Sequence, residues 1–232
     1  MIDFDWLSVL FGATGMGVLK FLFDIFKYYQ NRKDLQNGTK KIFEDKQKDI
    51  ELLFNDLISS AVKIQELIEE FVKEHDNIGK VLILKLENGG GVPQLGTVQH
   101  ISILNEAINN NIDNIYPIKQ DFQHYIIGAE YQKMLNNVLN TDLYITCIEK
   151  MDDGVLKKIL SSNDMKQIVV TDITHIPSLG GDNTKGFLIY LSIHIKTDEK
   201  IDDKFQADIF IISDKIKKIF DDFYINRIAS FD

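Results

Sequence analysis

The sequence predicts an α+β fold, an antiparallel sheet with flanking helices, preceded by a long N-terminal helix. Three observations predict it. Apolar residues recur at alternating steps of four and three over residues 50–71 and again over 205–223, as in amphipathic helices. Between these stretches the period shortens, and apolar runs such as Lys80 to Leu86 (KVLILKL) are bounded by glycine-rich turns, as strands are. The resulting order is helix, two strands, helix, strand, short helix, two strands, helix, which suits a sheet layered with helices.

The chain has 232 residues, a net charge of −9, 26% charged residues and one cysteine. This length fits one domain of about 150 residues plus an appendage. The acidic balance, without a basic tail, argues against nucleic acid held by phosphate neutralisation. The lone Cys147 excludes an internal disulfide framework and a CxxC zinc site. Three parts follow: an apolar membrane-anchor or assembly helix (1–30), a linker and amphipathic coiled-coil-like helix (31–75), and a domain (76–232).

In the first part, Trp6 to Leu19 (WLSVLFGATGMGVL) carries no charge, and the apolar run resumes after Lys20 as FLF. A spanning helix wants roughly 20 apolar residues, so length leaves three readings: a membrane span through residues 4–26, an interfacial helix, or a helix buried in a protein assembly such as a virion. The flanking charges favour the span. Asp3 and Asp5 precede it, whereas Lys27, Arg32, Lys33, Lys40 and Lys41 follow, which by the positive-inside rule makes the C-terminal body cytoplasmic. Gly12, Gly15 and Gly17 give one small-residue side for packing in lipid. A cleavable signal peptide would need a basic segment before the apolar one, and here it is acidic.

Helical periodicity then runs to Glu74. Ile50, Phe54, Leu57, Ala61, Ile64, Ile68 and Phe71 have the spacing of a coiled-coil seam, and Leu53, Leu67 and Val72 form a second partial stripe. This is either a dimer-forming helix or a single amphipathic core helix. In the last helix Phe205, Ile209, Ile212, Ile216, Ile219 and Phe223 repeat the pattern; Asp198 or Asp202 can cap it, and Lys215, Lys217 and Lys218 suit the negative end of its dipole. Two such helices allow a homodimer through residues 50–71 and 205–223, closed as a four-helix bundle.

Within the domain, strands are predicted at Lys80 to Leu86, His100 to Leu104, Leu143 to Ile148, Gln167 to Ile173 and Phe187 to Ile195. Asn88 to Gly96 is a wide turn, Asp121 to Leu139 has helical spacing, and Lys157 to Leu160 is one helical turn.

This order, the segment DDGVLKKILSSNDMKQIVVTDI and the ending GFLIYLSIHIKTDEKIDDKFQADIFIISDKIKKIF resemble a GAF domain, the ligand-sensing relative of PAS, over about residues 45–225. The fold expectation is therefore GAF-like. The resemblance implies a pocket between the sheet and the helix at 121–139, with Tyr125 and Tyr144 as walls or else as plain core aromatics. Departures from the family narrow it. Asn183, Lys185 and Phe205 are loosely placed for the cyclic-nucleotide motif, but Ile209 follows Asp208 where an acidic pair belongs. Cys147 lies within a strand, which argues against an attached pigment, and one thiol cannot reproduce the several cysteines of sulfoxide-reducing relatives.

Asn88, Gly89, Gly90 and Gly91 offer backbone amides that an anion could approach, but no Gly-Lys-Ser/Thr ending follows. They are either a sheet-edge turn or a ligand or partner contact, and Ser178 to Asn183 reads the same way. His75, His100, His124, His175 and His194 show no metal-ligand spacing. No catalytic signature stands out, so the expectation is no enzyme, no metal, no cofactor and a small-molecule ligand of unknown identity. Two functions remain: a membrane-anchored, dimeric GAF-like sensory or regulatory module, or a phage structural or assembly protein. The second rests on a resemblance of about 40 N-terminal residues to small phage-encoded membrane proteins, including holin-like ones.

Overall fold

The stripe that ends at Ile64, Ile68 and Phe71 lies on one long helix, α1 (Lys40–Glu74), in the computed structural model. The structure describes residues 40–87, 100–177 except 114, 121, 124 and 127, and 186–223. The chain divides into two compact units, 1–58 and 59–232. In the first, the described residues are the opening turns of α1. The apolar segment 4–26 lies outside the described residues, and among those described no helix is long and apolar enough to cross a membrane.

The second unit contains β1 (Ile78–Glu87), β2 (His100–Ile108), β3 (Tyr125–Ile126), α2 (Ala129–Thr141), β4 (Leu143–Cys147), a 3₁₀ turn (Ile148–Lys150), α3 (Val155–Ser162), β5 (Gln167–Pro177), β6 (Gly186–Ile195) and α4 (Asp203–Phe220). The strands form one sheet in the order β3-β2-β1-β6-β5-β4, antiparallel at every pairing. This is the α+β layout, an antiparallel sheet with flanking helices, expected from the order of elements.

Alternation along the strands sorts the core into two layers, because successive side chains point to opposite faces. Val81, Ile83, Val169, Leu191 and Ile193 pack with Ile64, Ile68 and Phe71 of α1 and Phe205, Ile209, Ile212 and Ile216 of α4. Leu82, Leu84, Leu86, Ile103, Val170 and Tyr190 face the other way, against Met134, Leu135 and Val138 of α2 and Leu156 and Leu160 of α3. Both predicted helical stripes are thus spent, over these residues, on the chain's own sheet.

Several boundaries differ from the sequence expectation. The helix predicted from Asp121 begins only at Ala129, and Tyr125 and Ile126 form β3, paired with Ile101 and His100. Phe122, Tyr125 and Ile126 fit a helical period, but the open edge of β2 takes their backbone. β2 runs on to Ile108 across a register shift opposite Ile83/Leu84. The turn at Lys157 to Leu160 is a helix of eight residues.

Two local features yield stability predictions. Of the two candidate caps for α4, Asp202 is the one used, accepting a 2.7 Å bond from the Phe205 amide. Asp202→Ala is expected to cost about 1 kcal/mol, read by urea unfolding; no change in midpoint would show the cap to be idle. Gly79 sits in the register shift between Ile78 and Lys80, where a β-carbon would lie 2.5 Å from Met165 Cε and 2.9 Å from Ile115 Cδ1. Gly79→Ala must displace both side chains, but the contacts are with the ends of flexible side chains, so the cost is expected at about 1 kcal/mol, the low end for overpacking. An unaltered unfolding midpoint would contradict that close approach.

Candidate functional site

The candidate site is the sheet face under α2 and α3. The alternation that aims Leu82, Leu84 and Leu86 at this face also aims Lys80 there, and the register sets Glu106 opposite Leu82, and His194, Ser192 and Tyr190 opposite Lys80, Leu82 and Leu84. Polar side chains are therefore carried into an apolar layer by the pleat itself.

Lys80 is 1% exposed. Its Nζ lies 3.1 Å from Glu106 Oε1 and donates a 2.6 Å bond to the Tyr116 carbonyl. Glu106 in turn accepts bonds from the Ile118 and Lys119 amides at 2.9 Å each. The pair thus pins the segment after β2 onto the sheet. Burial lowers the Lys80 pKa while the Glu106 carboxylate opposes it, and Lys119 is lowered in the same way. Burial, with the Lys80 cation second, drives the pKa of His194 down to about 3. The ring is held neutral and shares a 3.2 Å hydrogen bond between Nε2 and Ser192 Oγ.

Ser192 and His194 have the composition of a nucleophile and its base. A general base works best with a pKa near the operating pH, and a buried imidazole with a cation beside it is a poor one. The bond is a structural one.

Toward the other end of this face lie two buried phenols. Tyr131 is 6% exposed and Tyr190 1%. Burial raises both pKa values, aided at Tyr190 by the Asp172 carboxylate, and no hydrogen bond contributes to either shift. Asp172 stands directly opposite Tyr190 in the β5–β6 register and stays exposed to solvent; partial desolvation and then the nearby Asp142 push its carboxyl up.

Of the residues singled out from sequence, Tyr125 and Tyr144 both reach this layer, half-buried against its apolar cluster. They do so from β3 and β4, the two opposite edges of the sheet, and the Tyr125 ring centroid lies 4.8 Å from that of Phe122. Asn88, Gly89, Gly90 and Gly91 lie outside the described residues, as does the loop 178–183. Cys147 ends β4, half-buried as a free thiol. Among the described residues no group of three His, Cys, Asp or Glu is placed to hold a metal ion.

Lys80, Glu106, Tyr131, Tyr190 and Asp172 were not picked out from the sequence. A signal existed for the first, since in KVLILKL the alternation puts Lys80 on the same face as Leu82, Leu84 and Leu86. Glu106 could be placed only with the β1–β2 register and its shift in hand.

No protein-family model matches the chain, and no curated protein matches it. Similar solved structures include the GAF domain region of a putative membrane protein from Geobacter sulfurreducens PCA, 12% identical, covering 72% of this chain and 95% of that one with a TM-score of 0.45. Another is the phycocyanobilin-bound GAF domain of a cyanobacterial phytochrome, at 12% identity, 78% and 96% coverage and a TM-score of 0.47. A third is the GAF domain of a two-component sensor histidine kinase from Bacillus halodurans, at 14% identity, 73% and 97% coverage and a TM-score of 0.44. These are likenesses of chain arrangement, at identities that carry no residue-by-residue correspondence.

Proposed function

We propose that the chain is a membrane-anchored, dimeric, GAF-like sensory module that binds a small molecule on the sheet face under α2 and performs no catalytic step. The observation that supports ligand binding is the gathering of two largely buried phenols, Tyr131 and Tyr190, with Met134, Leu135 and Val138 in the apolar layer under α2, where a hydroxyl can orient a bound molecule. The anchor rests on the charge-sorted apolar segment 4–26, with the body on the cytoplasmic side.

A ligand screen by thermal shift on the full chain tests the binding part, since a ligand at 100 times its Kd stabilises by about 2.7 kcal/mol. Tyr190→Phe keeps the ring in its place in the core and is expected to change the ligand-free midpoint little, while abolishing most of a hit's stabilisation. A hit whose shift survives Tyr190→Phe would place binding elsewhere. Membrane fractionation tests the anchor: deletion of 1–30 is expected to release a soluble dimer, whereas loss of larger particles on that deletion would favour the assembly protein.

A further inference from the structure

Glu106 is bonded on both faces of the sheet. Its carboxylate holds Lys80 and the Ile118 and Lys119 amides on the face under α2. Its main-chain carbonyl accepts a 2.9 Å bond from Gln65 Nε2 of α1, the helix packed on the opposite face. The Gln65 amide is itself held: its oxygen accepts a 3.1 Å bond from Asn105 Nδ2, and its nitrogen also donates to Glu69 Oε1 at 2.9 Å.

This arrangement exists because β2 is irregular. Ile101 and Ile103 lie in the layer under α2, whereas Leu104 packs in the α1 layer and Asn105, next in line, also turns to α1. Two successive residues on one face mark a bulge, and the register steps from Ile103 opposite Leu84 to Asn105 opposite Ile83. The extra residue resets the alternation and aims Glu106 at Lys80. In a regular strand continuing from Ile101 and Ile103, residue 105 would face α2 and Glu106 would face α1.

The bulge is thus pinned from two sides, by Gln65 above and by the buried ion pair with the segment 116–119 below. Asn105 and Lys80 are both buried, so neither finds water as a substitute partner. The carbonyl and the carboxylate of Glu106 belong to one residue, and a displacement of either carries the other with it.

We infer that the bulge at 104–106 is the mechanical link between the candidate ligand face and α1: displacement of the segment 116–119 shifts Glu106, and Glu106 shifts Gln65. The inference rests on the ligand-binding reading for its stimulus alone. The link itself is a property of the ligand-free chain.

Coupling of this kind is shown by non-additivity, because changes at distant, independent sites add in free energy. Urea unfolding of the full chain, in detergent where solubility requires it, is compared for Gln65→Leu, Lys80→Met and both together. The first removes the bonds from α1, the second the ion pair on the other face. Once one change has released the bulge, the other pin has less to hold. The loss in the double variant is therefore expected to fall short of the product of the two single losses in unfolding constant by about threefold or more, beyond the usual scatter for independent sites. A loss that equals or exceeds the product, or falls short by less than that, would overturn the link. It would leave ligand binding standing, which the thermal-shift screen decides separately. Should Lys80→Met not fold, hydrogen exchange in Gln65→Leu alone decides. The Ile118 and Lys119 amides are then expected to exchange about threefold or more faster after correction for the change in overall unfolding constant, while Asp202→Ala leaves the corrected rates at the wild-type value. Equal corrected rates in the two variants would overturn the link.

Discussion

Replacing Glu106 with alanine is expected to lower the unfolding free energy by about 3–5 kcal/mol, the usual consequence of removing one partner from a buried ion pair. At about 2–4 °C per kcal/mol for a chain of this size, the melting temperature falls by roughly 6–20 °C. The cause is local and complete. Lys80, almost without solvent contact, loses its counter-charge, and the Ile118 and Lys119 amides lose the oxygens that accept from them at 2.9 Å. Lys80→Met should cost less, because the carboxylate, although it loses the ammonium 3.1 Å away, keeps both amide donors, and the Tyr116 carbonyl loses one hydrogen bond. Combining Lys80→Met with Glu106→Leu gives a sharper check. Apolar replacement of a simple buried pair is often neutral, but here the two amides stay orphaned, so the double variant should remain clearly less stable than wild type. Urea unfolding with all three variants decides it: a Glu106→Ala loss under about 1 kcal/mol, the worth of one ordinary hydrogen bond, would show that the pair does not hold the segment after β2.

The same pair marks the limit of what sequence could reveal. The amphipathic helices were legible because burial on a flat sheet demands the four-and-three spacing that Ile64, Ile68 and Phe71 show, and Ile209, Ile212 and Ile216 repeat it. The partner of those stripes was not legible, since a spacing says which residues share a face and not whether that face meets a sheet or a second chain. The order and antiparallel character of the sheet followed from short apolar runs separated by turns. β3 did not, because two residues carry too little periodicity, and it is the free edge of β2 that decides their conformation. For the site, Tyr144 was within reach because strand alternation sets it on the same face as Ile168 and Val170 of the neighbouring strand. Glu106 depends on the register shift at Ile83/Leu84, a one-residue irregularity that reverses which β2 side chains face inward. Tyr131 and Tyr190 look in sequence like any core aromatic. Only the strand register and the packing of α2 bring them into one layer.

Acid is expected to destabilise the domain through His194 at pH values where carboxylates are still ionised. The unfolded imidazole takes a proton near pH 6.5, whereas in the folded chain burial and the Lys80 cation hold its pKa at about 3. The folded pKa is the lower of the two, so between these values the unfolded state binds more protons and stability falls as pH falls. The contribution is complete above pH 6.5 and is lost as pH drops toward about 3. At about 1.4 kcal/mol per pH unit, the interval from pH 6.5 to pH 5 should remove roughly 2 kcal/mol, before most carboxylates begin to titrate. His194→Gln keeps a polar side chain opposite Ser192 and removes the ionisation. That variant should be less stable than wild type at pH 8, because its fit to Ser192 is poorer, yet its unfolding free energy should be nearly flat over pH 6.5 to 5. Urea unfolding at matched ionic strength across that range separates the two effects, since packing loss shifts the curve as a whole and the histidine sets its slope. A wild-type slope no steeper than that of His194→Gln would mean that the imidazole is protonated in the folded chain, and the desolvated arrangement of Lys80, Glu106 and His194 would then have to be wrong.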